Sequence, residues 1–258
     1  AGNALMAFRD GNFEYIFGGP GEEEVREKIR AVVQAAKLKK ALTELKLTSI
    51  GHTPQGFGFG RAMDTDMMKY FGVTLDSIEA RELINKAKAY TDEECQEYLE
   101  KAKASMKGLD QISENNVKDF ARLYKAYSTY VTENHVGAVS SRCWPDFFTD
   151  FGTPVCAVLA MLNDAGVVAS CESDTYGALS MYMGTYLTGK PVFFGDPVSM
   201  DEKENTVTYW HCGTAACSLA RDPEGAEVGL HCNRHIGPTM EFGCKSCEKV
   251  TVFRVGRM

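Results

Sequence analysis

The sequence predicts an α/β fold: a doubly wound, mostly parallel sheet with helices on both faces, followed by the beginning of a β-rich C-terminal domain. Three observations predict it. Between residues 45 and 195, short apolar strands alternate with helical segments long enough to be crossovers, which implies parallel pairing. After Asp196 the helical periodicity gives way to short strands separated by turns. The 258 residues are 44% hydrophobic and 24% charged, an ordinary globular balance that disfavours disorder, collagen-like repeats and coiled coils.

The elements follow in order. Residues 1–44 hold a strand-like run from Phe13 to Phe17, the turn Gly18-Gly19-Pro20-Gly21 and a charged amphipathic helix from Glu22 to about Leu45. They read as the remnant of an N-terminal α/β domain. A strand at Leu47–Gly51, a glycine-rich turn, a helix over about Arg61–Phe71 and a strand around Val73–Ile78 open the domain of residues 45–195. Two long polar helices follow, at about Thr91–Lys107 and Glu114–Asn134. Next come a strand at Gly137–Ser141, a helix over 154–164, a strand over 166–171, a helix over 175–188 and a strand at Pro191–Phe194. Residues 196–258 carry the short strands 205–211, 226–231, 238–243 and 248–255. At roughly 150 residues per domain the length allows between one and two domains. The ends, Ala1 and an alternating strand pattern up to Met258, read as a piece of something longer.

Charge narrows the partners. With 28 basic and 35 acidic residues the chain carries −7, and no basic cluster exceeds Lys37-Leu38-Lys39-Lys40, so nucleic acid is not expected. The most apolar stretch, Pro154 to Ser170, is broken by Asn163 and Asp164, so no membrane span is expected. The nine cysteines are odd in number and lie in apolar segments of a long chain. They read as reduced thiols of a cytoplasmic protein.

In an open parallel sheet, ligands gather outside the carboxyl ends of the strands. Glu172 directly follows the strand ending at Cys171, and Asp196 follows Val192-Phe-Phe-Gly195, with one crossover helix between them. His211 ends a further strand in Tyr209-Trp-His-Cys-Gly-Thr214. Two carboxylates and an imidazole suit Mn²⁺, or Mg²⁺ with fewer nitrogen ligands. The bland alternative is that acids at such junctions cap helices, a role open to Ser173 or Asp174 as well, and that His211 is structural.

Ser170-Cys-Glu-Ser-Asp-Thr-Tyr-Gly-Ala-Leu179 with Tyr186-Leu-Thr-Gly-Lys-Pro-Val-Phe-Phe-Gly-Asp196 resembles the Glu…Asp segment of the L-fucose isomerase family and the related L-arabinose isomerases. Arg142-Cys-Trp-Pro-Asp-Phe147 is similar to that family's Arg-x-Trp-x-Asp-Phe stretch, and Gly243 to Arg254 to its Gly-x-x-Val-Thr-x-x-Arg strand. The resemblance covers about 136–258 and, more weakly, 45–80. It implies an intramolecular oxidoreductase that interconverts aldose and ketose through an enediol, using Mn²⁺ or another divalent cation. Glu172 and Asp196 would be metal ligands that also move the proton between C1 and C2, and His211 a further ligand by analogy with the arabinose isomerase branch. Arg142 and Trp144 would line the sugar site. A homo-oligomer with sites between subunits is implied too. That family supplies another metal-binding histidine from beyond the point where this sequence stops, so a non-catalytic sugar-binding or assembly module is the competing expectation.

Other motifs are weighed against plainer readings. Gly51-His-Thr-Pro-Gln-Gly-Phe-Gly-Phe-Gly60 has neither dinucleotide nor phosphate-loop spacing. It is a tight turn, or a ligand-facing loop in which His52 and Gln55 reach the sugar or a neighbouring subunit. Cys244-Lys-Ser-Cys247 with His231, Cys232 and His235 could bind zinc, but lacks a second two-cysteine knuckle. His135 reads as a helix C-terminal residue. Cys143, Cys171 and Cys212 read as small buried hydrophobes.

Overall fold

The computed structural model describes residues 14–256. Its centre is a four-stranded parallel sheet of order β2-β1-β3-β4, formed by β1 (Lys46–Ile50), β2 (Thr74–Ile78), β3 (Ala138–Ser141) and β4 (Val168–Ser170). Successive side chains of a strand face opposite sides of a sheet, and the core divides accordingly. Leu47, Ala138 and Val168 point into one apolar cluster, Ile50, Val139 and Ala169 into the other.

The first cluster is closed by three helices: α1 (Glu23–Glu44) through Leu38 and Leu42, α2 (Asp64–Phe71) through Met67, and α7 (Thr175–Thr188) through Tyr176, Leu179 and Met181. The second is closed by α3 (Ala80–Ala89), α4 (Asp92–Ser105), α5 (Glu114–Glu133) and α6 (Cys156–Asp164). Helices on both faces of a parallel sheet are the doubly wound arrangement that the strand-helix alternation predicts.

Helix α3 is an addition to the sequence reading. Glu79 and Glu82 open it with a capping interaction, Leu83, Ile84 and Ala87 bury one face, and Thr91 and Glu94 begin α4 two residues after it ends. Such closely spaced caps divide what reads as a polar connection into two helices. His135 does lie at the C-terminal end of α5, in the left-handed region at φ 53°. Of the run at Phe13 to Phe17, Phe13 lies outside the described residues and 14–17 form no strand.

Two expectations are corrected. Residues 191–195 do not add a strand to the parallel sheet: Pro191 brings no N–H to a ladder, and Phe194 turns inward against the His211 ring, 5.1 Å between centroids. Asp196 instead starts β5 (Asp196–Asp201), which pairs antiparallel with β6 (Thr206–Trp210). Residues 248–255 form no strand either. They run beside α7, held there by the Val255 N–H donating to Ser180 Oγ at 2.9 Å and by Arg254 on Asp174. A second small antiparallel pair, β7 (Val228–Gly229) and β8 (Thr239–Met240), packs Val228 and Met240 into the α3–α6 side of the core.

Candidate functional site

The sheet order places the switch in connection direction between β1 and β3: the chain leaves β1 toward β2 and returns on the other side to β3. The crevice outside the carboxyl ends of those strands is where ligands bind in folds of this type. The loops after β1, β3 and β4 are tied together there. Ser173 Oγ donates to Ile50 O at 3.1 Å, Thr53 Oγ1 donates to Ser173 O at 3.3 Å, and Thr175 Oγ1 donates to Gly60 O at 2.7 Å.

Glu172 and Ser173 both adopt positive φ, 65° and 49°. Left-handed backbone is costly for residues with a side chain and recurs where function requires it. Capping does not explain Glu172. Asp174 fills that role for α7, accepting the Gly177 N–H at 2.7 Å and a two-pronged contact from Arg254 at 2.6 and 3.0 Å. The Glu172 carboxyl is thus left half-buried and uncommitted to the helix. Burial pushes its pKa up to about 7; the field of His211 opposes the rise and that of Asp196 adds to it.

Asp196 comes within electrostatic range of this carboxyl by a different route from the expected one, and the ligand atoms of Glu172, Asp196 and His211 are not all within 4.8 Å of one another. In the β5–β6 hairpin it is the exposed partner of Trp210, and from there its charge acts through space on His211, the residue after Trp210. His211 is buried. Its Nδ1 lies 3.3 Å from Thr214 Oγ1 and 3.8 Å from Cys212 Sγ, and its Nε2 has no hydrogen-bond partner. Burial works against a proton on this ring, but Cys212 and the charges of Glu172 and Asp196 outweigh it and raise the pKa.

The other sequence-selected residues divide. Arg142 Nε donates to Trp144 O at 3.0 Å and sits 3.0 Å from Asp146, bracing the loop after β3, while Trp144 is partly exposed under the Arg234 guanidinium, 5.1 Å from its ring centroid. His52 and Gln55 are exposed, and His52 leans toward Glu79 after β2, its Nε2 3.6 Å away. This places it on the far side of β1 from Glu172.

Thiols that read as simple core residues gather behind Glu172 and His211. Cys212 lies among Cys156, Cys171, His211 and His231, neighbours that hold its thiol well below the usual range. Among the described residues, Cys156, Cys212 and His231 are the set of potential metal-binding side chains whose ligand atoms lie within 4.8 Å of one another. His231 therefore turns inward; its Nδ1 keeps a 4.0 Å contact with the exposed Cys232 Sγ, while Cys244 and Cys247 are exposed and outside this group. The adjacency of Cys212 to His211 was the available sequence signal; Cys156, inside an apolar helix, offered none.

Over 257 residues, the whole of this chain and 58% of the relative, the sequence is 61% identical to the sulfoquinovose isomerase of Clostridium sp. (strain MSTE9). The sulfoquinovose isomerases of Priestia aryabhattai and Priestia megaterium (strain ATCC 12872 / QMB1551) are each 36% identical over 244 residues, 94% of this chain and 54% of theirs. The chain spans little more than half the length of these relatives. No protein-family model matches it. Among the described residues, no helix is long and apolar enough to cross a membrane.

Proposed function

We propose that this chain carries the α/β core of a sugar isomerase that interconverts an aldose and its ketose through an enediol, of the fucose/arabinose isomerase-like type, with sulfoquinovose as its substrate. The observation that carries the reading is Glu172: a half-buried carboxyl, free of any capping duty, held on strained backbone at the carboxyl edge of the sheet. Identity with named sulfoquinovose isomerases across the whole chain supports it.

Enediol chemistry removes a proton from the carbon beside a carbonyl and returns it to the neighbouring carbon. A group serves this best when its pKa lies near the working pH. Burial raises the Glu172 pKa to about 7 with no cation bound; a cation held there would lower it again, leaving Glu172 as the carboxylate base that takes the proton. Asp196, delivered by the hairpin register, is the second carboxylate of the pair. Arg142 and Trp144 line the sugar, and Arg234, stacked on Trp144, offers positive charge to a sulfonate.

Glu172, Asp196 and His211 offer donor types a divalent cation takes, and the buried His211 Nε2 is left without a partner; their ligand atoms are not gathered within 4.8 Å, so a cation would have to draw Asp196 in. Mn²⁺, or Mg²⁺, held by these residues would stabilise negative charge developing on the sugar oxygens. The exposed apolar side chains of the hairpin, Val198, Met200, Val207 and Trp210 among them, suit burial against another subunit or further chain, as a homo-oligomer with shared sites requires. The unpaired cysteines suit the reducing cytoplasm.

The test is isomerisation of sulfoquinovose with Mn²⁺ present, followed by NMR in D₂O. Glu172→Gln should lower kcat by about 10²–10⁴-fold, the usual contribution of general acid-base catalysis. Turnover unaffected by this change overturns the assignment of Glu172. Retained sugar binding with no turnover in the unaltered protein makes the chain a binding module instead.

A further inference from the structure

We infer that Cys156, Cys212 and His231 form a site for a thiophilic divalent cation, Zn²⁺ by preference, separate from the carboxylate site. Three segments remote in sequence supply the ligands: Cys156 opens α6, Cys212 follows β6 and His231 follows β7. Their ligand atoms lie within 4.8 Å of one another. Ligands about 2.0–2.3 Å from a central Zn²⁺ are separated by less than that, so small side-chain movements complete the shell. Cys156 and His231 are buried, and Phe148 meets the His231 ring edge-on at 5.0 Å, fixing where the imidazole points.

Charge and ligand chemistry favour the same ion. Two thiolates and a neutral imidazole around a 2+ ion give a complex with no net charge, the form best tolerated in a buried place. Soft sulfur donors select Zn²⁺ over the Mn²⁺ or Mg²⁺ that carboxylates prefer. Binding releases any thiol proton still held by the pair to solvent. It costs the ring one long contact, the 3.3 Å hydrogen bond that His231 Nδ1 accepts from the Asn233 N–H. A fourth neutral donor, such as water, completes the tetrahedron. The bound ion ties the 212 and 231 segments to the helical layer, so its role is that of a staple.

The purified full chain, stripped with a chelator, is titrated with Co²⁺ alone. The expected result is a thiolate-to-metal charge-transfer band with intense tetrahedral visible bands, displaced by one equivalent of Zn²⁺. Cys156→Ser and Cys212→Ser should each abolish the charge-transfer band or shift it strongly, while Cys244→Ser and Glu172→Gln leave it intact. Because Glu172→Gln removes isomerase activity in the proposed function, failure of that reading is separable from failure of this one. X-ray absorption on the Zn²⁺-loaded unaltered protein needs no variant to fold, and should show mixed sulfur and nitrogen ligation. An oxygen-only shell, or a band that survives both thiol substitutions and disappears in Cys244→Ser, overturns the proposal.

Discussion

Strands β3 and β5 begin comparably, as short runs of mixed apolar and polar residues, and end in opposite environments. Every residue of β3 is buried, whereas every residue of β5 is exposed, as are all five of its partner β6. The central sheet receives a helical layer on each face from its own sequence. The hairpin that delivers Asp196 receives none, and Met200, Val198 and Trp210 remain open to solvent. Half of the candidate site therefore stands on a platform packed on both faces, and the other half on a ribbon whose apolar side chains are exposed.

The largest effect that would sharpen this contrast is a cavity in the platform. Leu159 on α6 is fully buried, and Leu159→Ala should cost about 2–5 kcal/mol. Met200→Ser on the hairpin should stay within about 0.5 kcal/mol, the range for exposed sites. Urea unfolding of both variants checks the pair, and a large loss at Met200 would show that the ribbon is already covered in solution. Next in size is Asp174→Ala, which removes the α7 cap and the Arg254 contact together. It should cost about 2 kcal/mol, one cap plus a partly exposed charge-assisted pair. The loss should also free the 248–256 segment for proteolysis, which a limited digest followed by mass spectrometry detects. Smallest is Glu172→Gly. Relief of the left-handed backbone should leave stability unchanged or raise it by about 1 kcal/mol, while activity is lost. A thermal melt beside the activity assay separates the two effects; a destabilised protein would show that Glu172 is structural.

The platform was legible in the sequence because its signals are local and repeated. The strand ending at Ser141 and the helix from Thr175 to Thr188 follow from apolar runs and caps that any window of the chain displays. Glu172 was legible for the same reason, as the acid directly after such a strand. The expected geometry of Asp196 is not the observed one: Val192-Phe-Phe reads as a parallel strand, yet its ladder would need a backbone donor that Pro191 lacks and a neighbour beyond β4. Its position depends instead on a pairing with Trp210 that apolar patterning does not encode. The thiol cluster was illegible because Cys156, Cys212 and His231 come together only through packing, and a cysteine in an apolar run looks the same whether or not it faces another.

The Arg254 contact with Asp174 joins residues 80 apart in the sequence. A chain made from its N-terminus presents Glu172 long before it presents Arg254, and folding of early segments can start during synthesis. The Arg254 contact beside the left-handed turn at Glu172 can therefore form only once nearly all the sequence described here has left the ribosome.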